Sequence, residues 1–234
     1  MGRITIETKV WERDWAARLY SSGFPLVFNL NEIECHRVLW INNVLNPAMV
    51  RGAAEDWVRQ GKLDAIGEVL PRLGDALSHF GLAESDLGSG LYYSSAELVG
   101  ILTCETEYLC HFAGDCRLAH KSDWIQRGIE LLESRPDISV VNPIWNGNVE
   151  EVMSEALSQD DDYAYGYGFS DQCYLIRTEE LRNADLRTLH PFSERYPPYG
   201  GDLFEKRVDS WMRTNGRKRA TDLRACYLHL GHHA

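Results

Sequence analysis

Short apolar runs alternate along the chain with stretches whose apolar positions recur at intervals of three and four, the mark of strands and helices taken in turn. Residues 4–10, 37–44, 108–112, 138–142, 172–176 and 225–229 read as strands. The run from Arg37 to Val44 is nearly continuous in apolar character, as a strand buried on both faces would be. Trp124, Ile125, Gly128, Ile129, Leu131 and Leu132 form an apolar stripe that predicts a helix over 123–134, stopped by Pro136. Phe204, Val208, Trp211 and Met212 do the same over 202–214. Residues 53–80 are helical in pattern but interrupted at Pro71 and Gly74, which predicts two helices, and Ser95 is placed to cap a helix reaching Leu102. Residues 159–169, an acidic triplet followed by Tyr163, Tyr165, Tyr167 and Phe169 among small residues, predict a long surface loop. With no repeat and no linker-like tract, the alternation predicts one α/β domain over residues 1–234 with a largely parallel sheet.

Composition narrows the classes. A chain of 234 residues buries enough surface to hold a core without a disulfide or metal staple. Its 24 Lys+Arg against 35 Asp+Glu give a formal charge of −11, a field that opposes non-specific binding to nucleic acid or anionic membrane. Any anionic ligand must then be held by a local site. The first residues lack a basic segment followed by an apolar run, and no stretch approaches the roughly 18 apolar residues of a membrane span, so a soluble, cytoplasmic protein is expected. The six cysteines include no Cys-x-x-Cys pair and read as reduced, mostly buried thiols.

Three segments carry candidate chemistry. Asp115 lies just past the strand Tyr108-Leu-Cys-His-Phe112, at the sheet edge where open α/β folds hold ligands and where a carboxylate can coordinate a cation bridging two phosphates. The stretch Tyr196-Pro-Pro-Tyr-Gly-Gly-Asp202-Leu-Phe-Glu205 delivers two acids to a helix start, where they serve as cap and capping-box partner or as a base for an acceptor hydroxyl. The carboxyl-terminal part adds a basic turn, Arg217-Lys218-Arg219, then His229, His232 and His233. Neither Gly-x-Gly-x-x-Gly nor Gly-x-x-x-x-Gly-Lys-Ser/Thr occurs, which argues against dinucleotide oxidoreductases and phosphate-loop enzymes.

The order of these features resembles the GT-A glycosyltransferases, in particular inverting, family-two-like members. The resemblance is carried by the strand from Ile4 to Trp15, by Tyr108 to Cys116, by Phe169-Ser-Asp-Gln-Cys-Tyr-Leu-Ile-Arg177 and by Gly200-Gly-Asp-Leu-Phe-Glu-Lys-Arg207. It implies a Rossmann-like three-layer α/β/α sandwich with a mostly parallel mixed sheet. It also implies transfer of a sugar from a UDP- or GDP-linked donor to a glycan or other hydroxyl acceptor. The family's Asp-x-Asp reads Ala113-Gly-Asp115 here, so Asp115 is carried over as ligand of the metal, Mn2+ or Mg2+, and of the diphosphate. His229, with His232 as the alternative, is carried over as second metal ligand, Asp202 as base and Glu205 as its substitute. Thr8, Lys9, Glu12, Asn42 and Asn43 fall where the family holds the nucleotide, and Lys218 is assigned to the leaving diphosphate. Trp145, Tyr165, Tyr167, Tyr196 and Tyr199 are candidates for stacking on sugar faces. Because Ala113 and Gly201 replace two of the family's acids, a non-catalytic GT-A-like nucleotide- or glycan-binding protein is the alternative.

Overall fold

The computed structural model describes residues 3–21, 24, 26–194 and 202–231. Within them the chain runs β1 (Ile4–Val10), α1 (Trp15–Leu19), α2 (Leu26–Asn29), β2 (His36–Ile41), α3 (Pro47–Arg59), β3 (Ala65–Glu68), α4 (Leu70–Phe80), α5 (Glu84–Leu87) and α6 (Leu91–Thr103). It continues with β4 (Tyr108–Phe112), β5 (Cys116–Leu118), α7 (Trp124–Ser134), β6 (Ile138–Trp145), α8 (Val149–Glu155), β7 (Ala156–Gln159), β8 (Tyr163–Gly166), β9 (Cys173–Arg177), α9 (Thr178–Arg182), α10 (Phe204–Thr214) and β10 (Lys218–His229). Tyr196, Tyr199, Gly201, His232 and His233, named above, lie outside the described residues.

One mixed sheet holds the strands in the order β3-β2-β1-β4-β9-β6-β10-β8-β7, with β5 on β10. The parallel pairing expected from the alternation is concentrated in β3-β2-β1-β4 and in β6–β10. β9 runs antiparallel to both β4 and β6, and β8, β7 and β5 add further antiparallel pairs. Period-two alternation gives the sheet two apolar faces. Ile4, Ile6, Tyr108, Cys110 and Phe112 pack under α3 and α7 on one face, while Val38, Trp40, Leu109 and Ile176 pack under α4, α6 and α10 on the other. The result is the expected three-layer sandwich.

Several local expectations are corrected. Residues 60–69 are not helical: α3 ends at Arg59, Gly61 takes φ +66°, and Ala65–Glu68 adds a short edge strand to β2. Pro71 does not break a helix but sits in the first turn of α4, where the missing N–H has no intrahelical partner to lose. Ser95 lies inside α6 rather than at its start, and its hydroxyl donates to Asn42 Oδ1 (3.0 Å). The tyrosine-rich segment is not a surface loop, because Tyr163–Gly166 is a buried strand between β10 and β7. Nor is Lys218-Arg219 part of a turn: β10 starts there and spans twelve residues, twice the mean strand length of ~5–6. The cysteines are all free thiols; four are buried and Cys35 and Cys226 half-buried. Among the described residues no helix is long and apolar enough to cross a membrane.

Candidate active site

The carboxyl ends of β1, β2 and β4 open onto a cleft of about 390 Å³ whose walls include Lys9, Asn42, Asp115, Asp171, Glu205 and His229. Sheet direction explains how residues so far apart in sequence meet there. Because β9 is antiparallel to β4, with Phe112 opposite Cys173, the residues leading into β9 arrive at the carboxyl end of β4 and bring Asp171 beside Asp115. β10 ends antiparallel to β5 with His229 opposite Cys116, so the imidazole arrives at the same turn. His229 Nε2 lies 2.9 Å from Asp115 Oδ2, and Asp115 is 8% exposed.

The turn 113–115 is pressed against β1. Ala113 N–H donates to Gln172 O (2.8 Å), and a Cβ at Gly114 would stand 2.3 Å from Lys9 O, closer than real carbons come. Glycine is required there so that the strand end and the turn carrying Asp115 can touch.

On β1, Ile4 and Ile6 face the α3/α7 layer, so Thr5, Glu7 and Lys9 face α6. Lys9 forms an ion pair with the buried Glu97 and donates to Tyr93 O (3.2 Å). Burial works against its charge, but Glu97, Asp171 and Asp115 outweigh that and hold its pKa above the usual lysine value. Deeper along the same face, Glu7 accepts from Trp40 Nε1 (2.6 Å) and meets His111 Nδ1 (2.9 Å). His111 stacks on Tyr174 with ring centroids 5.1 Å apart. Burial raises Glu7 to about 8 and lowers His111 to about 4. Glu7 has room because α6 carries Gly100 opposite it, where a Cβ would meet its carboxylate at 2.5 Å.

The first turn of α6 ties these parts together. Tyr92 O accepts from Asn43 Nδ2 (2.9 Å), Ser95 donates to Asn42, and Ser94 Oγ accepts from the N–H of Phe204 at the start of α10 (3.1 Å). That last bond and the packing of Phe204 against Phe169 (centroids 5.5 Å) fix the next residue, Glu205, which accepts from Asp171 N–H (3.0 Å). Burial, with repulsion from Asp171 added, pushes the Glu205 carboxyl well above the usual carboxylate range.

The sequence-predicted residues thus divide. Lys9, Asn42, Asp115, Glu205 and His229 share the cleft. Asp202 does not line it; its carboxylate accepts from Lys206 Nζ (2.9 Å) and lies 3.9 Å from Arg207. Thr8 points to the other face of β1, Glu12 accepts from Leu45 N–H (2.7 Å), and Asn43, in a left-handed conformation (φ 49°), holds α6 rather than the cleft. Lys218 is not brought to the cleft: it opens β10 opposite Ile138, 3.5 Å from Asp137, whereas the far end of β10 pairs Tyr227 with Trp145, seven residues further along β6 or roughly 23 Å at ~3.3 Å each. Tyr165 donates to Asp160 (2.5 Å), and Tyr167 lies under Arg213, so neither ring is offered to the cleft. Trp145, at the end of β6, is 38% exposed.

Asp171 and Glu97 carry no motif that marks them in the sequence. Glu7 carried a readable signal, an acid at an inward position of an apolar strand, whereas Asp171 becomes a site residue only through the antiparallel sense of β9.

No protein-family model and no curated protein matches the chain. Solved structures do. A mannosyltransferase from Pyrobaculum calidifontis, in complex with GDP-Man and Mn2+, superposes over 97% of the chain with TM-score 0.58 at 9% identity. TarS of S. aureus does so over 97% with TM-score 0.55 at 9% identity, and mouse xyloside xylosyltransferase 1 over 91% with TM-score 0.50 at 15% identity. The chain has the GT-A glycosyltransferase fold. It spans 36% of TarS, 56% of the mannosyltransferase and 82% of the xylosyltransferase. At these identities the likeness concerns the GT-A fold alone.

The residues present fit a divalent cation. Asp115 and His229 offer a carboxylate oxygen and an imidazole nitrogen side by side, a donor pair suited to Mn2+. Among the described residues no group of three ligating side chains occurs, so the remaining positions would fall to ligand oxygens, as is usual for cations shared with phosphates.

Proposed function

We propose that the protein is a glycosyltransferase that moves a sugar, with inversion, from a nucleoside diphosphate to an acceptor hydroxyl, with Glu205 rather than Asp202 as base. The observation that carries this is the convergence in one cleft of Lys9, Asn42, Asp115 and His229 with the carboxylates of Asp171 and Glu205. TarS bound to UDP-GlcNAc (TM-score 0.52) and the GDP-Man complex supply the analogy for a nucleotide-sugar donor.

In this reading the nucleotide lies along the ends of β1 and β2. Asn42 Nδ2 is 3.5 Å from Tyr92 O, a marginal bond that it can exchange for one to a base edge. The diphosphate lies over Asp115, His229 and Lys9. Lined by Asp14, Asp115, Asp171 and Glu205, the cleft would repel a diphosphate unaided, and a divalent cation at Asp115 and His229 supplies charge neutralisation when bound. Lys9 keeps its ammonium charged through Glu97 and meets the negative charge that gathers on the departing diphosphate as the bond to the anomeric carbon breaks. Glu205 takes the proton of the acceptor hydroxyl while that oxygen attacks the opposite face of the anomeric carbon.

Thermal denaturation with UDP, GDP and their sugar conjugates, with and without Mn2+, tests the donor site. Metal-enhanced stabilisation that disappears in Asp115→Ala is expected, and the absence of any nucleotide effect would overturn the reading. Slow hydrolysis of one nucleotide sugar should fall by ~10²–10⁴ in Glu205→Gln and by less in Asp202→Asn, with nucleotide binding retained. Binding without hydrolysis would leave a nucleotide-binding protein.

A further inference from the structure

On the other side of β1 lies a second cavity, of about 440 Å³, within the ~300–1,000 Å³ of small-molecule sites. Lys9, Trp11, Asp14 and Gly114 form the seam it shares with the cleft. Thr8 and Val10, which point away from Lys9, line it, whereas Asp115, Asp171 and Glu205 do not.

Its polar wall is mainly basic, with Asp14 as its one carboxylate among the described residues, in a chain whose carboxylates outnumber its Lys and Arg by 35 to 24. Arg13, Arg18 and Arg117 all line it. Arg18 reaches Asp14 only at 3.8 Å, and Arg13 lies over the Trp11 ring at 5.5 Å. Among the described residues neither Arg13 nor Arg117 has an ion-pair partner, and Arg117 Nε is buried with no hydrogen-bond partner at all. A ligand oxygen reaching this guanidinium would give that donor the partner it lacks. Ala17, Phe24 and Val27 add apolar surface to its lining.

We propose that this cavity binds a small phosphorylated molecule separately from the nucleotide, its phosphate held by Arg13, Arg18 and Arg117 and its carbon skeleton against Ala17, Phe24 and Val27. Guanidinium groups suit this role because their planar forks pair with two phosphate oxygens at once. The site does not depend on the transferase reading.

The test is thermal denaturation and titration calorimetry of the full chain in phosphate-free buffer of low ionic strength, with inorganic phosphate, phenyl phosphate, sulfate and chloride as probes. Phosphate should raise Tm, and phenyl phosphate should do so at lower concentration. Arg117→Met and Arg13→Met should each lose the shift, and Arg72→Met, at an exposed arginine away from the cavity, should keep it. Should Arg117→Met fail to fold, the exposed Arg13 carries the test. A phosphate shift that survives in the Arg13 and Arg117 variants, or that chloride reproduces at equal ionic strength, overturns the proposal. So does a phosphate shift abolished by saturating UDP or GDP, because the anion would then be occupying the cleft.

Discussion

At the residue scale the cleft turns on the Glu205 carboxyl, whose charge is opposed first by burial and then by the neighbouring Asp171. Glu205 is buried, and its neighbour Asp171 both donates a backbone N–H to it and opposes its charge. Burial and repulsion act in the same sense, so Glu205 keeps its proton above the usual ~4.3 of a glutamate. A base works only when ionised, so kcat/KM should climb with pH along an acid limb displaced upward from that value. Asp171→Asn removes the repulsion but leaves the burial. The expected outcome is an acid limb moved to lower pH, whatever the change in maximal rate. A pH profile of nucleotide-sugar hydrolysis measures it, and an unmoved limb would mean that Glu205 is not the titrating group.

At the scale of elements, two glycines in different settings give opposite expectations. Gly114 holds the Asp115 turn against β1, and a methyl group there would press on backbone, which has no side-chain rotamer to yield. Gly114→Ala should cost about 1–3 kcal/mol in urea unfolding and weaken the Mn2+-dependent nucleotide effect by displacing Asp115. Gly74 lies inside α4 with nothing within 4 Å of where a Cβ would stand, so Gly74→Ala should stabilise by about 0.4–1 kcal/mol. The elements also show what could be read from the chain alone. β1, β4, α7 and α10 lie where their apolar positions put them, although β1 and β4 are buried on both faces and α10 also buries Lys206, Arg207 and Asp209, which no apolar spacing marks. β3, β7 and the first half of β10 exist through their neighbours: two are four-residue strands at the sheet edges, and the third keeps its basic groups in ion pairs with Asp137 and Glu155. The same distinction separates Asp115, placed by the strand before it, from Lys218, which looks like part of a phosphate clamp until the length of β10 carries it to the other end of the sheet.

At the scale of the whole molecule, the buried line Glu7–His111 joins β1 and β4 beneath α6 and links stability to pH in a defined window. Glu7 rises to about 8 on folding from an ordinary 4.5, so between those values the folded chain binds more protons than the unfolded one and stability falls as pH rises. His111 drops to about 4 from 6.5, so over that interval the unfolded chain binds more protons and stability rises with pH. The two slopes oppose each other from about 4.5 to 6.5, and from 6.5 to 8 only the Glu7 slope remains. Stability should therefore decline through that upper interval, by at most ~1.4 kcal/mol per pH unit. Glu7→Gln supplies an oxygen for Trp40 Nε1 and an amide N–H for His111 Nδ1 but cannot titrate. Urea midpoints measured at pH 6.5 and pH 8 should differ in the native protein and converge in this variant. If the native midpoints coincide, Glu7 is ionised in the folded state, and the buried line carries a second negative charge beside Glu97 that Lys9 alone would have to balance.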